Sequence, residues 1–315
     1  MLLAIIWLYT MPGPADASVT NASEGSWVRY ENPYFEAYSD IPSAEALQLL
    51  EDLEIFRAAM VSFDGSRVPE GSVRTRVIVF ASKEDFSNAT GHSLVEAFTL
   101  GIEGVPHIVM AAEGKPEWSS TTLRHEFVHV LQGYAGGELP WWYLEGYAEC
   151  MSAMEFRKRN SEFVVGRSTM RSRSKRSFVP WNDLIAEDFS LASVASAEQG
   201  SSAYFQAGLL VRYMLVGDEQ SHYLRLVEYL ELVEGGEPSA SAFEAAFGEP
   251  ADELAKRVYR QRRQSIKPRT FSLQPNTEKQ GFRLESAEVS SVRKILDELL
   301  TEAAPEPASG GGQSD

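Results

Sequence analysis

Cysteine is nearly absent: Cys150 stands alone among 315 residues, so no disulfide can form within the chain. That suits either a reducing compartment or a well-cored protein of the periplasm that needs no covalent staples. Basic residues are also in short supply. Lys and Arg number 29 against 45 Asp and Glu, a formal net charge of -16. Such a balance argues against a general nucleic-acid binder and for a soluble protein. Internal repeats are missing. The apolar stretch Leu2 to Tyr9 is too short to cross a bilayer, so no stable membrane span is expected.

What is present begins with a core. Apolar residues make up 43% of the chain, enough for one large domain, and this rules out wholesale disorder. Residues 1 to 17 read as a signal peptide, with small residues at Ala15 and Ala17 where a signal peptidase looks. The competing reading is a disordered or buried apolar amino terminus. A signal peptide would send the protein to the periplasm or outside the cell. The scarce positive charge is concentrated. Residues 157 to 176 hold eight Lys or Arg against Glu162, and Lys256 to Arg269 holds seven with no acid. Both runs read first as solvated faces, and second as contacts for an anionic substrate, cell wall or lipid headgroup.

Periodicity gives the organisation. A strand is expected at Tyr34 to Ser39. A helix from Pro42 to about Val61 carries Ala46, Leu49, Leu50, Leu53, Phe56 and Met60 on one face. Strands follow at Val73 to Phe80 and Pro106 to Ala112, separated by a short helix that Ser82 and Asp85 cap. A helix then contains Thr122 to Leu131 and ends among Gly133, Gly136 and Gly137. A second helix runs from Pro140 to about Arg159. Helical segments near 201–216, 219–233, 239–247 and 250–264 make the rest of a domain spanning residues 18 to 265, with a sheet lobe to about 137 and a helical lobe after it. Residues 266 to 315 read as linker, short helix and disordered tail.

Chemistry is concentrated in His125-Glu126-Phe127-Val128-His129. Residues four apart share a helix face, so His125 and His129 can present two imidazoles to one metal ion. Glu126 is placed to act as general base on a water held by that metal. Sixteen positions after His129 comes Glu145, a third ligand that leaves a fourth position open. Glu149, one turn further, is its rival for the metal and otherwise a support for a ligand histidine. Tyr204 is the leading donor for a developing oxyanion, with an aromatic anchor at a helix start as the competing reading; His107 and His222 are further candidates. Cys150 reads as a buried small residue, and Trp141 and Trp142 as core or cleft wall.

The pentad, Leu139 to Glu149, and Tyr204-Phe205-Gln206-Ala207-Gly208 together resemble the gluzincin clan of metallopeptidases. The likeness is greatest to the peptidase-MA-like domain of bacterial secreted and envelope proteins, and it extends loosely over residues 27 to 265. It implies an α+β, thermolysin-like zincin fold, with a small antiparallel-edged sheet over the active-site helix and a mostly helical lobe behind. It implies one Zn2+ per chain, a peptide or protein substrate, and Pro106 to Ala112 as the edge strand along which substrate lies. In related gluzincins the acid one turn after the ligand is the supporting one, which assigns Glu145 to the metal and Glu149 to a histidine. Gln206 stands where aminopeptidase-like relatives have lysine. Their Gly-x-Met-Glu-Asn segment, which holds a free amine, is absent, which favours endopeptidase action. The alternative is an envelope scaffold that keeps the zinc and has lost turnover.

Overall fold

The computed structural model describes residues 27–303 except 67–72, 94, 113–115, 138, 168–176, 218–220 and 274–280. The expected signal peptide, the tail from Pro305 and much of the first basic run lie outside the described residues. The fold is mixed α+β. In chain order it runs β1 (Val28–Glu31), β2 (Phe35–Ser39), α1 (Ser43–Asp64), β3 (Thr75–Phe80), α2 (Lys83–Thr90), β4 (Ala97–Ile102), β5 (Val105–Ala111), α3 (Pro116–Ala135) and α4 (Trp141–Ser152). Next come β6 (Glu155–Arg157), β7 (Glu162–Val165), α5 (Trp181–Leu184), α6 (Ala197–Val216), α7 (Ser221–Glu234), α8 (Ser239–Phe247), α9 (Ala251–Ser265), β8 (Arg269–Ser272), β9 (Arg283–Ser286) and α10 (Val289–Ala303). No described helix is long and apolar enough to cross a membrane.

The chain divides into two compact units. The first gathers Met1–Leu50, Gly71–Ser119 and Gln280–Asp315, and the second Glu51–Glu70 and Ser120–Lys279. A six-stranded sheet in the order β4-β5-β3-β2-β1-β9 organises the first. Its β2–β3 and β3–β5 pairs are parallel, and both outer pairs are antiparallel. Val77, Ile78, Val79, Phe80, Ile108, Val109 and Met110 are buried, as β-branched and aromatic runs in central strands should be. Ser82 caps α2 as its spacing predicts, accepting from the Asp85 backbone N–H at 3.0 Å.

Three expectations need correction. The Pro106–Ala112 segment is not an edge strand, since β5 is paired on both sides and β4 takes the outer position. Glu103 and Gly104 both adopt positive φ, 48° and 79°, and close β4 onto β5 as a tight hairpin. The helix carrying Glu145 stops at Ser152 rather than Arg159. Beyond it Lys158, Arg159 and Asn160 all take positive φ, which no helix allows, and turn the chain into the β6–β7 hairpin. Among the described residues after 265 the expected short helix is present as α10, but the segment before it is not all linker. Strand β8 pairs with β7, β9 pairs with β1, and α10 buries Val292, Leu296 and Leu299 in a cluster with Trp27, Ile78, Phe80 and Val109.

One buried group in the sheet gives the first unit an acid-sensitive point. His107 is 4% exposed, with Arg76 Nη1 3.0 Å from its Nε2 and the Val105 carbonyl 2.9 Å from its Nδ1. A guanidinium only donates and a carbonyl only accepts, so the ring is neutral with its proton on Nδ1. Burial foremost, with the nearby Arg76 charge, pushes its pKa down to about 4 against the opposing Val105 bond. The unfolded ring protonates near 6.5, so the neutral ring's stability is complete above that pH. It is lost as pH falls through about 4, amounting there to about 3 kcal/mol. In His107→Gln, which can keep both hydrogen bonds, denaturant midpoints should fall much less between pH 7 and pH 4 than in wild type. Equal falls would remove His107 as the cause.

Candidate metal centre

The site lies within the second unit, on three helices. Pro116 presets the first turn of α3, and Leu123, Phe127, Val128, Val130 and Leu131 bury its apolar positions. That leaves His125, Glu126 and His129 on the less buried side. A partly buried clamp fixes this helix beside the first histidine. The Arg124 guanidinium forks onto the Asp52 carboxylate of α1, with Nε 2.7 Å from Oδ2. It also donates to the Met154 carbonyl at 2.9 Å and sits over the Phe56 and Phe156 rings.

Helix α4 follows the extended Pro140. Trp142 is fully buried, donating from its indole to the Tyr229 hydroxyl at 3.0 Å and packing on Phe243, so it is core. Glu145 and Glu149 stand one turn apart. A close approach to α6 backs them: a Cβ on Gly146 would come 2.6 Å from the Ala207 carbonyl oxygen, and one on Gly208 would come 3.1 Å from Glu149 Cβ. Glycine at both positions lets the two helices touch nearly backbone to backbone.

His125 Nε2 lies 3.2 Å from Glu145 Oε2 and 3.2 Å from His129 Nε2. The third edge, His129 Nε2 to Glu145 Oε2, is 3.4 Å. A tetrahedral ion with bonds of about 2.0–2.1 Å needs ligand–ligand edges of about 3.3–3.4 Å. The three atoms thus already form one face of such a tetrahedron, and among the described residues this trio is the cluster that could hold a metal ion. An oxygen faces the other nitrogen of each ring, at hydrogen-bond distance for His129 and at ion-pair distance for His125. His125 Nδ1 is 3.6 Å from Glu149 Oε1, and His129 Nδ1 is 2.8 Å from Gln132 Oε1.

The electrostatics suit a cation. Burial opposes charge on His125, yet the hydrogen bond and charge of Glu145, with Glu149 and Glu126 adding, raise its pKa to about 9. His129 is raised too: burial again opposes, and the charge and hydrogen bond of Glu145 outweigh it. Glu145 itself is held down to about 2, against strong desolvation, by the two imidazoles. Burial, the largest influence, lifts Glu149, which is not in the triangle. Carboxylates that draw protons onto two half-buried imidazoles would draw a dication onto the same lone pairs.

The sequence-selected residues therefore sort cleanly. His125, His129 and Glu145 converge. Glu149 backs a ring, and Glu126 acts electrostatically on both imidazoles. The Tyr204 ring lies 6.4 Å from that of His125 and 5.3 Å from Trp141. Gln206 holds the Val179 backbone from both sides at 2.9 Å, a structural task. His107 belongs to the sheet network and His222 is bonded to Tyr213. Cys150 is fully buried. Sequence reasoning missed Gln132 and the Asp52–Arg124 clamp, although Gln132 sits at the i+3 spacing from His129 that marks a shared helix face. Neither the protein-family models nor the curated proteins compared with this chain give a match.

Proposed function

We propose that this chain is a zinc-dependent peptidase of the gluzincin type, with one Zn2+ held by His125, His129 and Glu145 in a thermolysin-like zincin fold. The observation that carries the reading is the triangle of 3.2, 3.2 and 3.4 Å edges. Two histidines and a carboxylate, each histidine with an oxygen facing its second nitrogen, are the donor set of a hydrolytic zinc site. When bound, the ion supplies Lewis acidity to the attacked carbonyl and acidifies water.

The chain's own residues carry the rest. Glu126 takes a proton from the attacking water and hands it to the leaving nitrogen. Glu149 and Gln132 orient the two rings. Tyr204, beside the His125 ring, offers its phenol to the oxyanion that develops on the carbonyl. The substrate is a peptide or protein cut internally, since no amine-anchoring segment accompanies the site. The signal-like residues 1 to 17 support action in the periplasm or outside the cell. Cleavage of an unfolded protein by wild type but not by Glu126→Gln tests the reading. Absence of cleavage by either would leave a zinc-holding scaffold.

A further inference from the structure

Among the groups around the metal-ligand trio, Gln132 is the one whose bonding leaves no freedom of interpretation. Its amide bridges two helices. One end faces His129 Nδ1 at 2.8 Å, and the other donates from Nε2 to the Leu144 carbonyl at 3.0 Å. A backbone carbonyl can only accept, which fixes the amide nitrogen on the Leu144 side and the amide oxygen on the His129 side. The oxygen can only accept as well, so His129 must carry a proton on Nδ1. When Nε2 gives up its proton to a metal ion, its lone pair is the one aimed at His125 and Glu145. Leu144 directly precedes Glu145, so the same side chain ties the histidine's orientation to the backbone beside the carboxylate ligand.

The choice of amide also has an electrostatic reason. Glu126, Glu145 and Glu149 already raise or hold charge around these rings, and His125 has a carboxylate behind it. A second carboxylate, behind His129, would add another buried negative charge. It would also set two acceptors against each other at Leu144. Glutamine supplies the acceptor the ring needs and the donor the carbonyl needs, with no net charge.

We propose that Gln132 is a positioning residue for the metal centre: it selects the His129 tautomer and thereby sets the affinity for the ion, while its bond to Leu144 ties α3 to α4 and supports the metal-free fold. This rests on the zinc reading above. The test is the Zn2+ dissociation constant, measured by competition with a chromophoric chelator on the full chain, alongside the melting temperature of the chelator-stripped protein. Gln132→Leu, near in volume but without either bond, should bind Zn2+ about 10–100-fold more weakly. Gln132→Glu keeps an acceptor for Nδ1–H but cannot donate to Leu144. It should hold Zn2+ at least as tightly as wild type while its stripped form melts lower. A packing role alone would move the two variants together.

A Gln132→Leu affinity within about twofold of wild type, or equal weakening in both variants, would overturn the assignment. Gln132→Met replaces the leucine variant should that one not fold, with the same expectation. A wild-type chain that takes up no Zn2+ would defeat the peptidase reading and this inference together. Zn2+ uptake by wild type with unmoved variants would defeat the inference alone.

Discussion

Glu126→Gln should lower the rate of peptide cleavage about 10²–10⁴-fold, the usual contribution of a positioned general base, while Zn2+ content stays at the wild-type level. The two halves of that result come from different atoms. On the proposed reading metal affinity would reside in His125, His129 and Glu145, whose candidate ligand atoms lie together, and Glu126 is not part of that triangle. Its charge acts on both imidazoles. Glutamine has the same shape and helix propensity, so α3 should be undisturbed and the loss should fall on kcat. Stopped cleavage with zinc retained would place the base at Glu126. Cleavage at the wild-type rate would move the proton transfer to another group and remove the role assigned here.

Asp52→Ala should destabilise the protein by about 2–4 kcal/mol, read as a lower denaturant midpoint with an unchanged slope. The Arg124 side chain is 10% exposed and its Asp52 partner 26%, so the pair is only partly screened by water. Truncating the acid leaves the guanidinium with the Met154 carbonyl and two aromatic faces but no counter-charge. Replacing both partners should cost less than the sum of the single changes, since Asp52→Ala with Arg124→Met no longer strands a buried charge. A single-variant loss below about 0.5 kcal/mol would mean that the clamp is exposed to solvent after all. Arg124 immediately precedes His125, so this ion pair also holds the His125 turn of helix in place.

The candidate metal cluster was far more legible in the sequence than the sheet of the first unit. A helical period of 3.6 puts His125 and His129 on one side without knowledge of the partner elements, and Glu145 and Glu149 follow the same rule on α4. Strand β4 left little signal: Ala97–Ile102 alternates weakly and its turn is Glu103-Gly104 rather than Asn-Gly, so the hairpin depends on tertiary pairing with β5. The false extension of α4 has a similar origin. Met151 to Arg159 is a credible helix by propensity, and the β6–β7–β8 pairing overrides it, with Phe163 stacked on Phe271 at 5.6 Å from a strand over a hundred residues later. The carboxy-terminal strand and helix were ambiguous for the same reason, since an amphipathic α10 declares a buried face but not the element that covers it. Gln132 shows only the i+3 spacing from His129; the bond that orients its amide goes to the Leu144 backbone, and sequence does not display backbone carbonyls.

The central claim is that His125, His129 and Glu145 hold one zinc ion. Elemental mass spectrometry on purified wild type, His129→Ala and Glu145→Ala tests it directly. About one Zn2+ per wild-type chain is expected, with loss of the ion in both variants, because each removes one corner of the triangle. Zinc lost from His129→Ala but retained in Glu145→Ala would transfer the third position to Glu149. A wild-type chain that stays free of zinc after reconstitution would contradict the claim outright.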